Sequence, residues 1–124
     1  SIFENKKIYI DTYNIETILS EKIETILRRG KYNTRMKDYY DVYFFLTKLK
    51  NEINLETFKQ ALNNTLTKRE AFDYYKDYRQ ILNGLTNDER INNYWSTYKK
   101  KNKYVQNIEF KEIINVLEEF LDNI

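Results

Sequence analysis

Proline is absent from this 124-residue chain, and glycine occurs only at Gly30 and Gly84. Proline clashes with the preceding helical turn, and an interior glycine weakens a helix by about 1 kcal/mol. A chain nearly free of both has few places where a helix must stop. Long helices follow, with the two glycines expected as C-caps where helical patterning ends. There is no cysteine and no histidine, which excludes disulfides, thiolate metal sites and imidazole bases. Acid–base work would fall to carboxylates, lysine or tyrosine. The formal net charge of +2, from 21 basic against 19 acidic residues, gives no global field of the kind that gathers nucleic acid. No apolar run approaches the roughly 20 residues of a membrane span, so a cytoplasmic protein is expected.

Residues 7–12 (KIYIDT) alternate apolar with polar side chains and predict a short strand. A single strand is not stable alone. Residues 1–13 are therefore read as a strand segment and 14–124 as a helical domain. Asn14 caps a helix running to about residue 29, and Thr34 caps a second to about residue 50. Asn54 caps a short third helix over 55–64. Thr67 and Glu70 have capping-box spacing ahead of the stripe Ala71, Tyr74, Tyr75, Tyr78 and Leu82, and Thr86 and Glu89 repeat it ahead of Ile91, Tyr94, Trp95 and Tyr98. Phe110, Ile113, Ile114, Leu117 and Leu121 mark a last helix over 109–122. The expected fold is mainly α, a bundle of about six helices preceded by one short strand.

The stretch 21–45 breaks this patterning. At about 100° per residue, Lys22 and Arg29 fall inside the apolar stripe of Ile15, Ile18, Leu19 and Ile26. In the next helix Asp38 shares a face with Val42, Phe45 and Leu49, and Asp41 borders Phe45. Unpaired charges on apolar faces cost several kcal/mol or more, so these four must pair with each other or meet a ligand. Asp38 and Asp41 are three residues apart, and two carboxylates that close require a metal, a shared proton or a cation. One reading makes Lys22 and Arg29 phosphate contacts. The other is an internal ion-pair cluster that fixes how the two helices cross, with Asp38 favoured by the helix N-terminus and Asp41 paired with Lys37 or Lys48.

The same residues carry a resemblance. KIETILRR followed by RMKDYYDVYFF is similar to the third and fourth motifs of the abortive-infection nucleotidyltransferase toxins, the AbiEii-like family. The matching positions are Lys22, Ile26, Arg29, Lys37, Asp38 and Asp41. The resemblance implies a toxin of a toxin–antitoxin pair in phage defence, transferring a nucleoside monophosphate from NTP, with GTP suspected, to an RNA (tRNA) or protein acceptor. It implies Lys22, Asp38 and Asp41 as catalytic residues and Lys22, Arg29 and Lys37 as phosphate contacts. In that family the chemistry begins in an N-terminal half with a Gly-Ser loop and an Asp-x-Asp pair that holds Mg²⁺. Neither motif occurs here, so the chain is read as the C-terminal portion of a larger enzyme, inactive alone. Its strand would be a remnant of the catalytic sheet, the missing N-terminal half its partner, and the antitoxin a partner at operon level. An exposed apolar face on the first helices would favour a homodimer.

Other clusters have plainer readings. Arg28, Lys31, Arg35 and Lys37 surround the turn at Gly30, where they would guide an RNA backbone or simply be solvated. Lys99, Lys100, Lys101 and Lys103 end a helix whose dipole favours cations. Tyr94, Trp95, Tyr98 and Tyr104 would serve either as core or as a stacking platform for bases, and core is the simpler reading. Glu118, Glu119 and Asp122 read as solvated surface. The rival to the enzyme is a non-enzymatic helical module that binds a partner protein or RNA.

Overall fold

The computed structural model describes Glu4, Asn5 and residues 14–124. The strand expected at residues 7–12 lies outside the described residues. The described chain is mainly α, as expected. Its helices are α1 (Ile15–Arg29), α2 (Met36–Thr47), α3 (Leu55–Lys68), α4 (Phe72–Lys76), α5 (Tyr78–Asn87), α6 (Glu89–Lys101) and α7 (Phe110–Asp122).

Helix α1 is central: α3 lies along one side of it, α2 along another, and α4 and α5 close over its C-terminal half. Helix α7 packs on α2 and α5, and α6 bridges the same pair. Leu19, Ile23 and Ile26 of α1 are fully buried, as are Tyr39, Phe58, Leu82 and Ile91 from the helices around it. Edge-to-face contacts join Tyr39 to Phe110 at 5.2 Å and Phe58 to Phe120 at 5.1 Å. Leucine supplies much of the core, contrary to the tyrosine-filled core that the composition suggested, and the buried Tyr39 hydroxyl donates to the Asn33 carbonyl at 3.0 Å.

The caps set where elements begin and end. Asn14 and Asn54 accept from the Thr17 and Thr57 amides, each at 2.9 Å. Gly30 terminates α1 at φ 52°, its N–H bonding the Ile26 carbonyl.

Several expected boundaries move. Helix α3 runs on to Lys68, so Thr67 lies at its end and opens no new helix. Glu70 then takes the left-handed conformation, φ 53°. The Ala71 amide reaches the Leu66 carbonyl at 2.9 Å and the Glu70 amide the Thr67 carbonyl at 3.3 Å, a Schellman turn. The helix expected from residue 71 is broken at Asp77 into α4 and α5, while Ala71 and Leu82 stay buried on its inner side. Gly84 lies inside α5, and the cap of α6 is Asp88, accepting from the Ile91 amide at 2.9 Å, in place of Thr86. Helix α2 begins after Arg35 without the Thr34 cap and ends at Thr47, followed by a 3₁₀ turn at Lys50–Glu52.

The apolar side chains of α1 and α2 are buried within the chain, and none of the large exposed hydrophobics among the described residues belongs to either helix. The apolar face expected to drive dimerisation is thus covered internally. Among the described residues no helix is long and apolar enough to cross a membrane.

Candidate active site

The first two turns of α2 deliver Asp38 and Asp41 to the flank of α1 that carries Lys22. The Lys22 Nζ lies 3.1 Å from Asp41 Oδ2 and 3.6 Å from Asp38 Oδ1. Lys37 approaches the same Asp41 oxygen at 3.0 Å, one helical turn away, and Arg35 Nε stands 3.8 Å from Asp38 Oδ1. Among the described residues three cations face the two carboxylates. The carboxylates are the buried members of the cluster. Lys22 is held between them at the edge of solvent.

Helix α1 is buried over far more of its circumference than the apolar stripe suggested. On the helical wheel the buried sector runs from Ile18 through Ile26, Ile23 and Leu27 to the polar residues Ser20 and Glu24. Lys22 lies inside that sector near its Ile18 end, so its stem covers apolar surface while its head reaches water.

Arg29 is exposed at the end of α1. Seven residues at 1.5 Å rise place it roughly 10 Å along the axis from Lys22, and no ion pair joins it to Asp38 or Asp41 among the described residues. With Arg28, Lys31 and Tyr32 it lines a separate groove of about 640 Å³ against α5. Lys22, Lys37, Asp38 and Asp41 are brought together, and Arg29 stands apart.

Two further clusters join residues that the sequence reading left apart. Glu24, on the polar side of the wheel, has a side chain only 1% exposed, gripped by Arg28 Nε at 2.8 Å and Arg69 at 2.6 Å. The Schellman turn after α3 delivers Arg69 to this position, where it also reaches Glu21 at 3.0 Å. Glu16, likewise buried, accepts from the Asn54 amide at 2.8 Å and ties α1 to the start of α3. Helix spacing reveals Glu24 with Arg28, four residues on, but not the partners Arg69 and Asn54, which are 45 and 38 residues away.

The second cluster is aromatic. Tyr40, next to Asp41, meets Tyr104 edge-to-face at 4.9 Å, and the Tyr104 and Tyr98 hydroxyls share a hydrogen bond. Burial, the Tyr104 neighbour and the Asp41 charge raise the Tyr40 hydroxyl pKa. Burial, the hydrogen bond to Tyr104 and the Asp41 charge act the same way on Tyr98.

As a metal site the cluster does not fit Mg²⁺. That ion takes oxygen ligands in near-octahedral array, whereas the sides of Asp38 and Asp41 facing Lys22 are occupied by cations. Among the described residues no group of three or more acidic side chains is placed to hold a metal. The arrangement is suited to orient a lysine toward an anion.

Residues 1–116 match the family described as nucleotidyl transferase AbiEii toxin, type IV TA system. The chain belongs to this family. Neither a curated protein nor a solved structure matches it. Membership in the AbiEii family supports a nucleotidyltransferase-like role in a toxin–antitoxin system and implies an antitoxin partner.

Proposed function

We propose that the chain supplies the phosphate-contacting part of a nucleotidyltransferase site that moves a nucleoside monophosphate from NTP to an RNA or protein acceptor, in toxin-mediated defence against phage. The acceptor hydroxyl oxygen attacks the α-phosphorus and gives up its proton to water, the bond to the β-phosphate breaks, and pyrophosphate leaves with the negative charge it gains. Lys22 is the cation for that charge, because it combines partial exposure with fixed direction. Asp41 and Asp38 hold it from the buried side, and Lys37 adds positive charge beside it. Such electrostatic preorganisation is strongest where water is limited. Asp38, engaged with Lys22 and Arg35, acts as an orienting group more readily than as the base for the acceptor's proton. Arg29 would contact a more distant phosphate of the nucleotide or of the acceptor.

The observation that carries this reading is the placement of a half-buried lysine between two buried carboxylates, in a chain of the AbiEii family. Replacing Lys22 by Ala in the full-length protein should lower nucleotide transfer at least ~10²-fold, the size expected when a preorganised electrostatic contact is lost. An unchanged rate would overturn it.

The same distances favour a second reading, in which the cluster is an internal brace of a non-enzymatic module binding a protein or RNA. Breaking a buried pair then costs roughly 3–5 kcal/mol, with no nucleotide affinity to lose.

A further inference from the structure

Two sequence motifs with no evident relation meet at Tyr40, the residue before Asp41. One is the Asp38–Asp41 segment of α2. The other is the end of α6 and the 3₁₀ turn Lys103–Val105 that follows it. Tyr104, in that turn, is the point of contact. Its ring packs against Tyr40 at 4.9 Å and Tyr98 at 6.3 Å, both edge-on, and its hydroxyl is held by Tyr98. Tyr98 in turn stacks on Trp95, whose indole N–H donates to the Ile108 carbonyl at 2.9 Å. Despite these restraints Tyr104 remains 39% exposed. A ring fixed by two neighbours and still open to solvent loses little conformational entropy on meeting a planar partner. The cations around it are available as well: Lys100, Lys101 and Lys103 are exposed, and no ion pair joins them among the described residues.

We infer that Tyr104 is the base-contacting residue of the nucleotide site, offering its ring to the nucleobase of a nucleoside triphosphate whose phosphates lie at Lys22. This rests on the reading of Lys22 given above. Tyr40 links the two ends, since it adjoins Asp41 in α2 and touches Tyr104, and the Asp41 charge is felt at Tyr98 beside it. Tyr98 is a positioning residue, acting through the Tyr104 hydroxyl. Aromatic stacking tolerates any base, because every base has a π-face. Tyr104 therefore contributes affinity for the nucleotide without itself selecting one base.

Calorimetric titration of the full chain with magnesium GTP and, separately, with magnesium tripolyphosphate tests this. Tyr104→Ala and Tyr104→Leu should weaken GTP about ten-fold, as loss of one base–aromatic stack does, and leave tripolyphosphate within two-fold. Tyr104→Phe and Tyr104→Trp should keep GTP affinity, while Lys22→Ala should weaken both ligands. The inference is overturned if Tyr104→Leu binds GTP as wild type does, or if it loses tripolyphosphate equally, which would mark a structural role. If tripolyphosphate binds through Lys22 under either result, the reading of Lys22 survives its failure. If neither ligand binds the wild-type chain, or Lys22→Ala weakens neither, the reading of Lys22 falls and the inference with it.

Discussion

Lys22 and Asp41 stand 3.1 Å apart with unequal access to water, the lysine side chain 24% exposed and the aspartate 2%. Removing the lysine leaves Asp41 with Lys37 at 3.0 Å, so its carboxylate keeps a cation. Lys22→Met, which preserves the apolar stem, should therefore cost about 1 kcal/mol or less in urea unfolding, the scale of a partly exposed pair. A loss several times larger would identify Lys22 as a brace for the helix crossing.

Glu24 presents the opposite case. Its carboxylate is buried and both its cations come from the rim, Arg69 from a turn 45 residues away. Glu24→Ala strips the partner from two guanidiniums and opens a gap in the α1–α3 contact, so unfolding free energy should fall by roughly 3–5 kcal/mol. A double-mutant cycle with Arg69→Ala should show strong coupling. Additive effects would place the stability elsewhere.

Glu70 holds a left-handed conformation that glycine adopts freely and other L-residues adopt at a cost of roughly 1–2 kcal/mol. Glu70→Gly should raise stability by about 0.5–1 kcal/mol, the relief of strain being partly offset by the greater freedom of glycine in the unfolded chain. A lower melting temperature would contradict the Schellman geometry.

The pH dependence should be alkaline. Burial and the hydrogen bond to Glu112 push the Tyr43 hydroxyl up to about 12 from an ordinary value of 10.0. Tyr39, Tyr40, Tyr75, Tyr78 and Tyr98 are shifted the same way, chiefly by burial except at Tyr78, where the hydrogen bond to Asp122 leads. The unfolded chain ionises first as pH rises, so the stabilisation is full below about 10 and is lost on the way to 12 and beyond. Chemical denaturation between pH 8 and pH 11 should show stability falling only above the lower tyrosine range, with Tyr43→Phe flattening part of the decline.

Much of this was legible in local pattern. Asn14, Asn54 and Gly30 act as caps because the chemistry of a cap is local. Lys22 could be matched with Asp38 and Asp41 from wheel positions because a short turn joins two helices whose charged residues share the facing sides. What failed depended on distant partners. The stripe of Ile15, Ile18, Leu19 and Ile26 left out the polar Glu16, Ser20 and Glu24, which are buried because α1 is enclosed on several sides. The TKRE box competed with the continuation of α3, and Arg69 pairing with Glu24 accompanies the turn one residue later. The break at Asp77 left the inner residues of α4 and α5 in phase, so periodicity could not show it. Tyr98 and Tyr104 looked like one stripe with Trp95, and only the fold sets Tyr104 against Tyr40.

The most direct measurement is the melting temperature of the chain with and without magnesium GTP, for wild type and for Lys22→Met. A ligand that binds the native state alone raises stability by mass action. A phosphate site at Lys22 gives a rise with wild type that grows with nucleotide concentration and is lost in Lys22→Met. Equal melting temperatures with and without nucleotide in the wild-type chain, or an equal rise in both proteins, would contradict it.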